Sequence, residues 1–264
     1  MNPINLSVVM PVYRQEKMVT RYLGALDEIL AKLNIAYEII CVVDGMTDKT
    51  YQNARQLNLP YLKVVGYAQN QGKGNAVRLG MSQAKGKIVG FTDAGFDLNY
   101  SAIPLALEHM KWYDADIIIG SKRHPASKVT YPWQRRMLSW GYQMGVRLLF
   151  GINVRDTQVG MKFFRRKTVR QVLPRLLVKE FAFDIEILAV ANSLGFTRIY
   201  EAPVEIKLEF GGASIIASRG FIKTAWNMLR DTLAVFYRLK IRHYYDDLNR
   251  KNWLPNMYLD STIS

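Results

Sequence analysis

Val89-Gly90-Phe91-Thr92-Asp93-Ala94-Gly95-Phe96-Asp97 reads as the end of a buried strand, Lys87 to Thr92, that breaks off into an acidic loop. An apolar strand ending in polar residues is where an open α/β sheet places its chemistry, in the crevice outside the carboxyl ends of the strands. Two carboxylates in one Gly-containing loop, Asp93 and Asp97, can converge on one cation. A hard ion such as Mg²⁺ takes oxygen ligands and often holds substrate phosphates as well. Taken alone, Asp-x-x-x-Asp is better explained by a solvated acidic turn, so the rest of the chain has to decide.

Upstream and downstream of this loop, strand and helix patterns alternate. Leu6–Val12, Tyr37–Val43, Leu62–Tyr67, Lys87–Thr92 and Asp116–Gly120 are short and almost continuously apolar. Between them Glu16–Leu33, Asp48–Leu57, Gly74–Ala84 and Ser101–Trp112 carry helical periodicity. Apolar strands separated by helices predict a mainly parallel sheet covered on both faces. Right-handed crossovers then bring the strand ends to one edge. Those ends are Tyr13-Arg14-Gln15-Glu16, Asp44-Gly45-Met46-Thr47-Asp48, Asn70-Gln71-Gly72-Lys73-Gly74-Asn75 and the opening loop. Asp44 can accept hydrogen bonds from a base or ribose, whereas Asp48 is expected to cap the following helix. Gly72-Lys73-Gly74 opens a helix, where backbone N–H groups and the Lys73 ammonium favour an anion.

The 264 residues suffice for one large α/β domain with an appendage. Cys41 is the single cysteine and lies in the apolar run Ile39–Val43, so it is expected to be a buried small hydrophobe, and no disulfide can form within the chain. The start of the chain lacks the pattern of a signal peptide, and no apolar run reaches about 18 residues, so a cytoplasmic, peripherally membrane-associated protein is expected. The net charge of +14 is uneven: residues 121–180 hold 14 Lys/Arg against 2 Asp/Glu. Such a local field attracts polyanions, anionic headgroups or phosphorylated substrates. Tyr131–Phe150 and Phe221–Arg242 are helical in character and mix aromatic and Leu residues with Lys/Arg, the pattern of helices lying in a membrane interface or packed on the sheet. The tail, Asn252–Ser264, has no periodicity and is expected to be mobile.

Several chemistries are excluded. Around Gly72-Lys73 the upstream Gly and the following Ser/Thr of a P-loop are missing, and Gly-x-Gly-x-x-Gly is absent as well. His109, His124 and His243 have no metal-ligand spacing, and no nucleophile elbow or Cys/His pair is present. Nucleic-acid binding is motivated by charge alone, and no recognition motif accompanies it.

As an ordered set the motifs are specific. Val9-Met10-Pro11-Val12-Tyr13, Val43–Asp48, Gly72–Val77, Asp93-Ala94, Gly120-Ser121-Lys122-Arg123, Arg155-Asp156-Thr157-Gln158-Val159-Gly160-Met161-Lys162-Phe163-Phe164-Arg165 and Phe183-Asp184-Ile185-Glu186 follow one another. Over roughly residues 6–242 the chain resembles the inverting family 2 glycosyltransferases of GT-A fold, and within them the dolichyl-phosphate (polyprenyl-phosphate) mannose and glucose synthases. Asp-Thr-Gln-x-Gly-x-Lys and Phe-Ala-Phe-Asp-x-Glu look most like the glucose synthases.

The resemblance implies a Rossmann-like GT-A domain over residues 1–215, with a donor half to about 120 and an acceptor half beyond, followed by an amphipathic membrane-interface helix and tail over 216–264. It implies a nucleotide-sugar donor, UDP-glucose or GDP-mannose, a polyprenyl or dolichyl phosphate acceptor, and Mg²⁺ or Mn²⁺. An anionic membrane surface is the expected setting, and a membrane partner protein is left open. Pro11, Tyr13, Glu16 and Asp44 match nucleotide-binding positions, the anion-favouring Lys73 joins them as a donor-binding candidate, and Asp93 matches the first Asp of the family's Asp-x-Asp. Gly95 stands where the second Asp is expected, so Asp97 is the candidate to hold the ion with Asp93. Lys122 and Arg123, then Arg136 and Arg219, are acceptor-phosphate candidates, with Asp156 and Gln158 at the sugar. The altered metal motif keeps a second reading open, a family member that binds a nucleotide sugar without catalysis. A soluble or polysaccharide acceptor is the other alternative.

Overall fold

The structure, a computed structural model, describes residues 3–95, 98–130, 133–180, 182–207 and 219–253. The alternation read from the first 120 residues is realised closely: β1 (Leu6–Val12), α1 (Val19–Ala31), β2 (Tyr37–Asp44), α2 (Thr50–Gln56), β3 (Leu62–Tyr67), α3 (Lys73–Gln83), β4 (Ile88–Thr92), α4 (Ala102–Trp112) and β5 (Ile117–Ser121). There follow β6 (Lys128–Thr130), α5 (Trp133–Phe150), β7 (Met161–Arg165), α6 (Arg166–Val172), α7 (Phe183–Ser193), β8 (Ile199–Pro203), β9 (Glu205–Lys207), α8 (Arg219–Phe236) and α9 (Arg250–Trp253).

Seven strands form one sheet in the order β3-β2-β1-β4-β7-β5-β8. Every pairing is parallel except those of β7, which runs antiparallel to β4 and β5. Alternate residues of the strands feed the two faces. Val9, Ile40 and Phe91 enter a core with α3, α6 and α7, while Val8, Met10, Ile39 and Cys41 meet α1, α2 and α4. Helix α1 is held by Val19, Leu23, Leu26 and Leu30, a one-sided stripe of buried side chains, each contributing about 1.5–3 kcal/mol by burial. Cys41 is fully buried, and that burial pushes its thiol up to about 12, so it is unreactive at neutral pH.

Three expectations shift. Asp48 is not itself the N-cap: that residue is Lys49, and the Asp48 carboxylate reaches past it to accept the Thr50 N–H at 3.0 Å. Helices α5 and α8 are both packed and exposed. Tyr142 and Thr232 hydroxyls meet at 2.7 Å, Phe150 packs edge-on against Phe236, and Val146 and Val235 are buried. Their outer sides expose Met144 and Leu148, and Trp226, Leu229 and Leu233, with Tyr237 exposed just beyond α8. Among the described residues no helix is long and apolar enough to cross a membrane. Residues 254–264 of the tail lie outside the described residues. Trp253 is buried, with the Arg175 guanidinium 4.0 Å over its ring, so the chain is fastened down at least to that point.

Candidate active site

Strand β4 delivers Asp93 to the carboxyl edge of the sheet, and β7 starts beside it, with Met161 paired to Thr92. The Asp93 N–H therefore donates to the Gly160 carbonyl at 2.8 Å. The approach is so close that a Cβ on Gly160 would lie 1.8 Å from Asp93 Oδ2. Asp93 Oδ1 faces the Lys73 ammonium at 2.8 Å. Two cavities share Asp93 as a wall. One, of about 540 Å³, is lined by Pro11, Tyr13, Asp44, Lys73, Asp93 and Glu180, among others. The second, of about 270 Å³, is lined by Asp93, Gly95, Lys122, Gln158 and Gly160 with Leu98, Val159 and Ile206. A further cavity of about 510 Å³ lies by the opposite sheet edge between α3 and α6 and carries none of the candidate residues.

The larger cavity gathers three carboxylates against one lysine. An anionic ligand entering it is favoured only together with a cation, which supports a metal-bound diphosphate. Asp44 is buried and committed to the loop after β3: it accepts Asn70 Nδ2 at 2.9 Å, the Gln71 N–H at 2.7 Å and the Gly72 N–H at 3.0 Å. It thereby shapes the turn that presents Lys73. The Tyr13 ring is part-exposed, with the Arg14 guanidinium 5.1 Å over its face. Glu16 stands apart, accepting the Lys49 N–H at 3.1 Å in a neighbouring surface cavity with Arg14 and Asp48.

In the smaller cavity Lys122 is set by Asp156, whose buried carboxylate accepts the Lys122 N–H at 3.1 Å and lies 3.9 Å from its ammonium. The same carboxylate takes the Gln158 N–H at 3.1 Å. Asp156 thus acts on this cavity through Lys122 and Gln158 rather than by lining it. Gln158 Nε2 is buried without a hydrogen-bond partner and can serve a ligand oxygen. Arg123 follows Lys122, its N–H on Ser121 Oγ at 3.2 Å. Arg136 and Arg219 belong to α5 and α8, and their side chains, like Asp97 as a whole, lie outside the described residues.

Among the described residues no three His, Cys, Asp or Glu converge to hold an ion. Asp93 together with substrate oxygens could hold a cation here, an arrangement Mg²⁺ commonly adopts. The Lys73 ammonium on Asp93 shows that the spot favours positive charge. Gly95 has φ +148°, a backbone setting that side chains rarely adopt, and its N–H donates to Tyr100 Oη at 3.3 Å. Restoring the expected carboxylate is therefore costly. Gly95→Asp is expected to lower stability by about 1–2 kcal/mol and to leave the Mn²⁺ dependence of activity no better, as a metal titration and a melting curve would report.

Residues missed as site candidates lie behind Lys73. Asp184 at the start of α7 places Oδ2 3.4 Å from Lys73 and Oδ1 2.5 Å from Lys162, which is wholly buried in β7. Burial acts against ionising Asp184, but the charges of Lys162 and Lys73 outweigh it and hold its carboxyl below the usual range. For Lys73, burial is likewise outweighed by Asp184 and Asp93, which raise its pKa. Two residues on, Glu186 accepts the Leu177 and Val178 N–H groups and the Tyr245 hydroxyl, tying the segment that ends in Glu180 to α7. The signal was available: a lone lysine in Met161-Lys162-Phe163-Phe164 and two acids in an otherwise apolar helix must be paired if buried.

Comparison with known proteins agrees with this geometry. The model of Glycosyl transferase family 2 matches residues 7–173. A dolichyl-phosphate beta-glucosyltransferase of Drosophila melanogaster is 35% identical over 210 residues, covering 72% of this chain and 64% of the relative. The enzyme of that name from Saccharomyces cerevisiae is 30% identical, covering 71% and 63%, and the one from Homo sapiens 28%, covering 85% and 74%. The chain thus spans just under two thirds of the fly and yeast relatives. Among solved structures, glucosyl-3-phosphoglycerate synthase from Mycobacterium tuberculosis with Mn²⁺, UDP and glucosyl-3-phosphoglycerate superposes with a TM-score of 0.63 at 17% identity, over 89% of this chain and 79% of that one. That likeness establishes the GT-A arrangement of the sheet.

Proposed function

The chain belongs to glycosyl transferase family 2, and on that premise we propose that it transfers a hexose, glucose first among the candidates, from a nucleotide sugar to a polyprenyl phosphate with inversion at the anomeric carbon. The observation that carries this is the sharing of Asp93 between two cavities, one with Lys73 and three carboxylates, the other with Lys122. The donor diphosphate occupies the larger and the acceptor phosphate the smaller. The names of the relatives support glucose and a dolichyl phosphate acceptor.

The chemistry asks little of a protein base. A phosphate monoester, with its second pKa near 6, is already largely dianionic at neutral pH. Its oxygen forms the bond to the anomeric carbon while the bond to the nucleoside diphosphate breaks, and the diphosphate leaves with the electron pair. Lys122, set by Asp156, draws the acceptor phosphate in and Gln158 donates to its oxygens or to the sugar. Lys73 meets the charge that develops on the leaving diphosphate. A divalent cation held by Asp93, and by Asp97 in our reading, would neutralise that diphosphate. Membrane contact fits the outer sides of α5 and α8, where Leu148 (86% exposed) and Trp226 (67%) head an apolar surface beside the most basic part of the chain. Each Lys/Arg near an anionic leaflet adds about 1 kcal/mol. This leaves residues 216–264 as an interface element on a GT-A domain of residues 1–215.

The test is a transfer assay with UDP-glucose and GDP-mannose against dolichyl phosphate in anionic vesicles, with Mg²⁺ or Mn²⁺. A glucosylated lipid is expected from UDP-glucose, falling about 100-fold or more with EDTA. Asp97→Ala should shift the metal titration to higher concentration, and an unchanged metal titration removes Asp97 from the site. Binding of UDP-glucose without any product would mark a family member that has lost catalysis, a reading the Gly95 substitution favours. The absence of both binding and product overturns the proposal.

A further inference from the structure

Two buried charges behind the donor cavity are unused by the mechanism above. We propose that Asp184 and Lys162 are positioning residues that aim the Lys73 ammonium at the donor diphosphate, an inference that rests on the donor reading just given. A lysine ammonium is a point charge on a flexible stem, so a cation that must meet developing charge at one place gains from being held there beforehand.

The distances distinguish this arrangement from a simple ion pair. Asp184 divides its oxygens, Oδ1 at 2.5 Å from Lys162 and Oδ2 at 3.4 Å from Lys73. Lys162 takes the stronger share, and Lys73 keeps its shorter contact, 2.8 Å, to Asp93 in the cavity. Without Lys162, a buried carboxylate with one partner would draw Lys73 inward and off the cavity wall. Lys162 is itself anchored by the Val159 carbonyl at 2.7 Å, next to Gly160, whose carbonyl holds the Asp93 N–H. The Phe91 ring lies beside both ammonium groups, its centroid 5.6 Å from Lys73 Nζ and 5.4 Å from Lys162 Nζ, and Phe183 packs edge-on against it at 6.2 Å. Asp93, Lys73, Asp184 and Lys162 sum to zero charge, so when the diphosphate replaces Asp93 as the partner of Lys73, the buried half of the cluster stays balanced.

Removing Asp184 alone strands a buried lysine, so the test removes the pair together. Dissociation constants of UDP and GDP with Mn²⁺ are measured by calorimetry for the full chain and for Lys162→Met/Asp184→Ala, each with and without Lys73→Met, and thermal melting confirms folding. Asp184→Asn, which keeps an oxygen for Lys162, provides a second background. In the unaltered background Lys73→Met is expected to weaken binding about 10- to 100-fold. Where the pair is gone the same change should cost under about 3-fold, because Lys73 is no longer aimed. Equal losses in all backgrounds would show that the pair is structural only and overturn the inference, leaving the donor reading intact. If neither nucleotide binds the unaltered chain, the donor reading falls and the inference with it.

Discussion

Asp93→Ala is expected to reduce sugar transfer by about a thousandfold or more while leaving the fold standing. One preorganised group facing developing charge is worth about 10²–10³ in rate, and the loss of a divalent cation adds to that. Asp93 is the one charged wall that both cavities share, so its removal acts on the departing diphosphate and the incoming phosphate at once. The stability cost is small. The Asp93 side chain is 45% exposed, its pairing with Lys73 is discounted accordingly, and Lys73 retains Asp184. Melting should shift by no more than about 2–4 °C. A variant with more than a tenth of normal turnover would remove Asp93 from the chemistry, whereas a variant that no longer folds would place its role in the scaffold. Asp93→Asn, with the same shape and no charge, should be nearly as inactive.

The donor half was legible because its signals are local. Short apolar strands, each ending in polar or glycine-rich residues, announce both the parallel sheet and the edge where the site forms, and β1 and β3 appear with the expected bounds. The second half was not, for a physical reason. Strand β7 enters antiparallel between β4 and β5 over five residues, and only tertiary pairing tells Met161-Lys162-Phe163-Phe164-Arg165 from a buried helix segment. The same insertion brings Gly160 against Asp93, Lys162 against Asp184 and Asp156 beneath Lys122, three contacts between residues far apart in sequence or role. Local pattern also left a second task of Asp44 and Asp156 unseen. Oxygens of both accept backbone N–H groups of the loops that present Lys73 and Lys122. A carboxylate at a strand end can shape the site as readily as it can touch the substrate.

Gly160→Ala is expected to lower turnover about a hundredfold without altering any charge. The added methyl would sit 1.8 Å from Asp93 Oδ2 and 2.1 Å from Cγ. The backbone cannot give way cheaply, because the Gly160 carbonyl holds the Asp93 N–H at 2.8 Å and the next residue, Met161, is in ladder register with Thr92. The carboxylate must therefore rotate away from the boundary between the two cavities, and a displacement of about 1 Å at a reacting centre costs about 10² in rate. Overpacking costs about 1–3 kcal/mol, offset by the about 0.4–1 kcal/mol that a Gly→Ala change gains from the unfolded chain. The decisive comparison is the double variant Asp93→Ala/Gly160→Ala. With no carboxylate to displace, it should be no less active than Asp93→Ala and more stable than Gly160→Ala. A Gly160→Ala protein that turns over normally would mean that the orientation of Asp93 is not what the β7 insertion secures, and the glycine at that position would then need another cause.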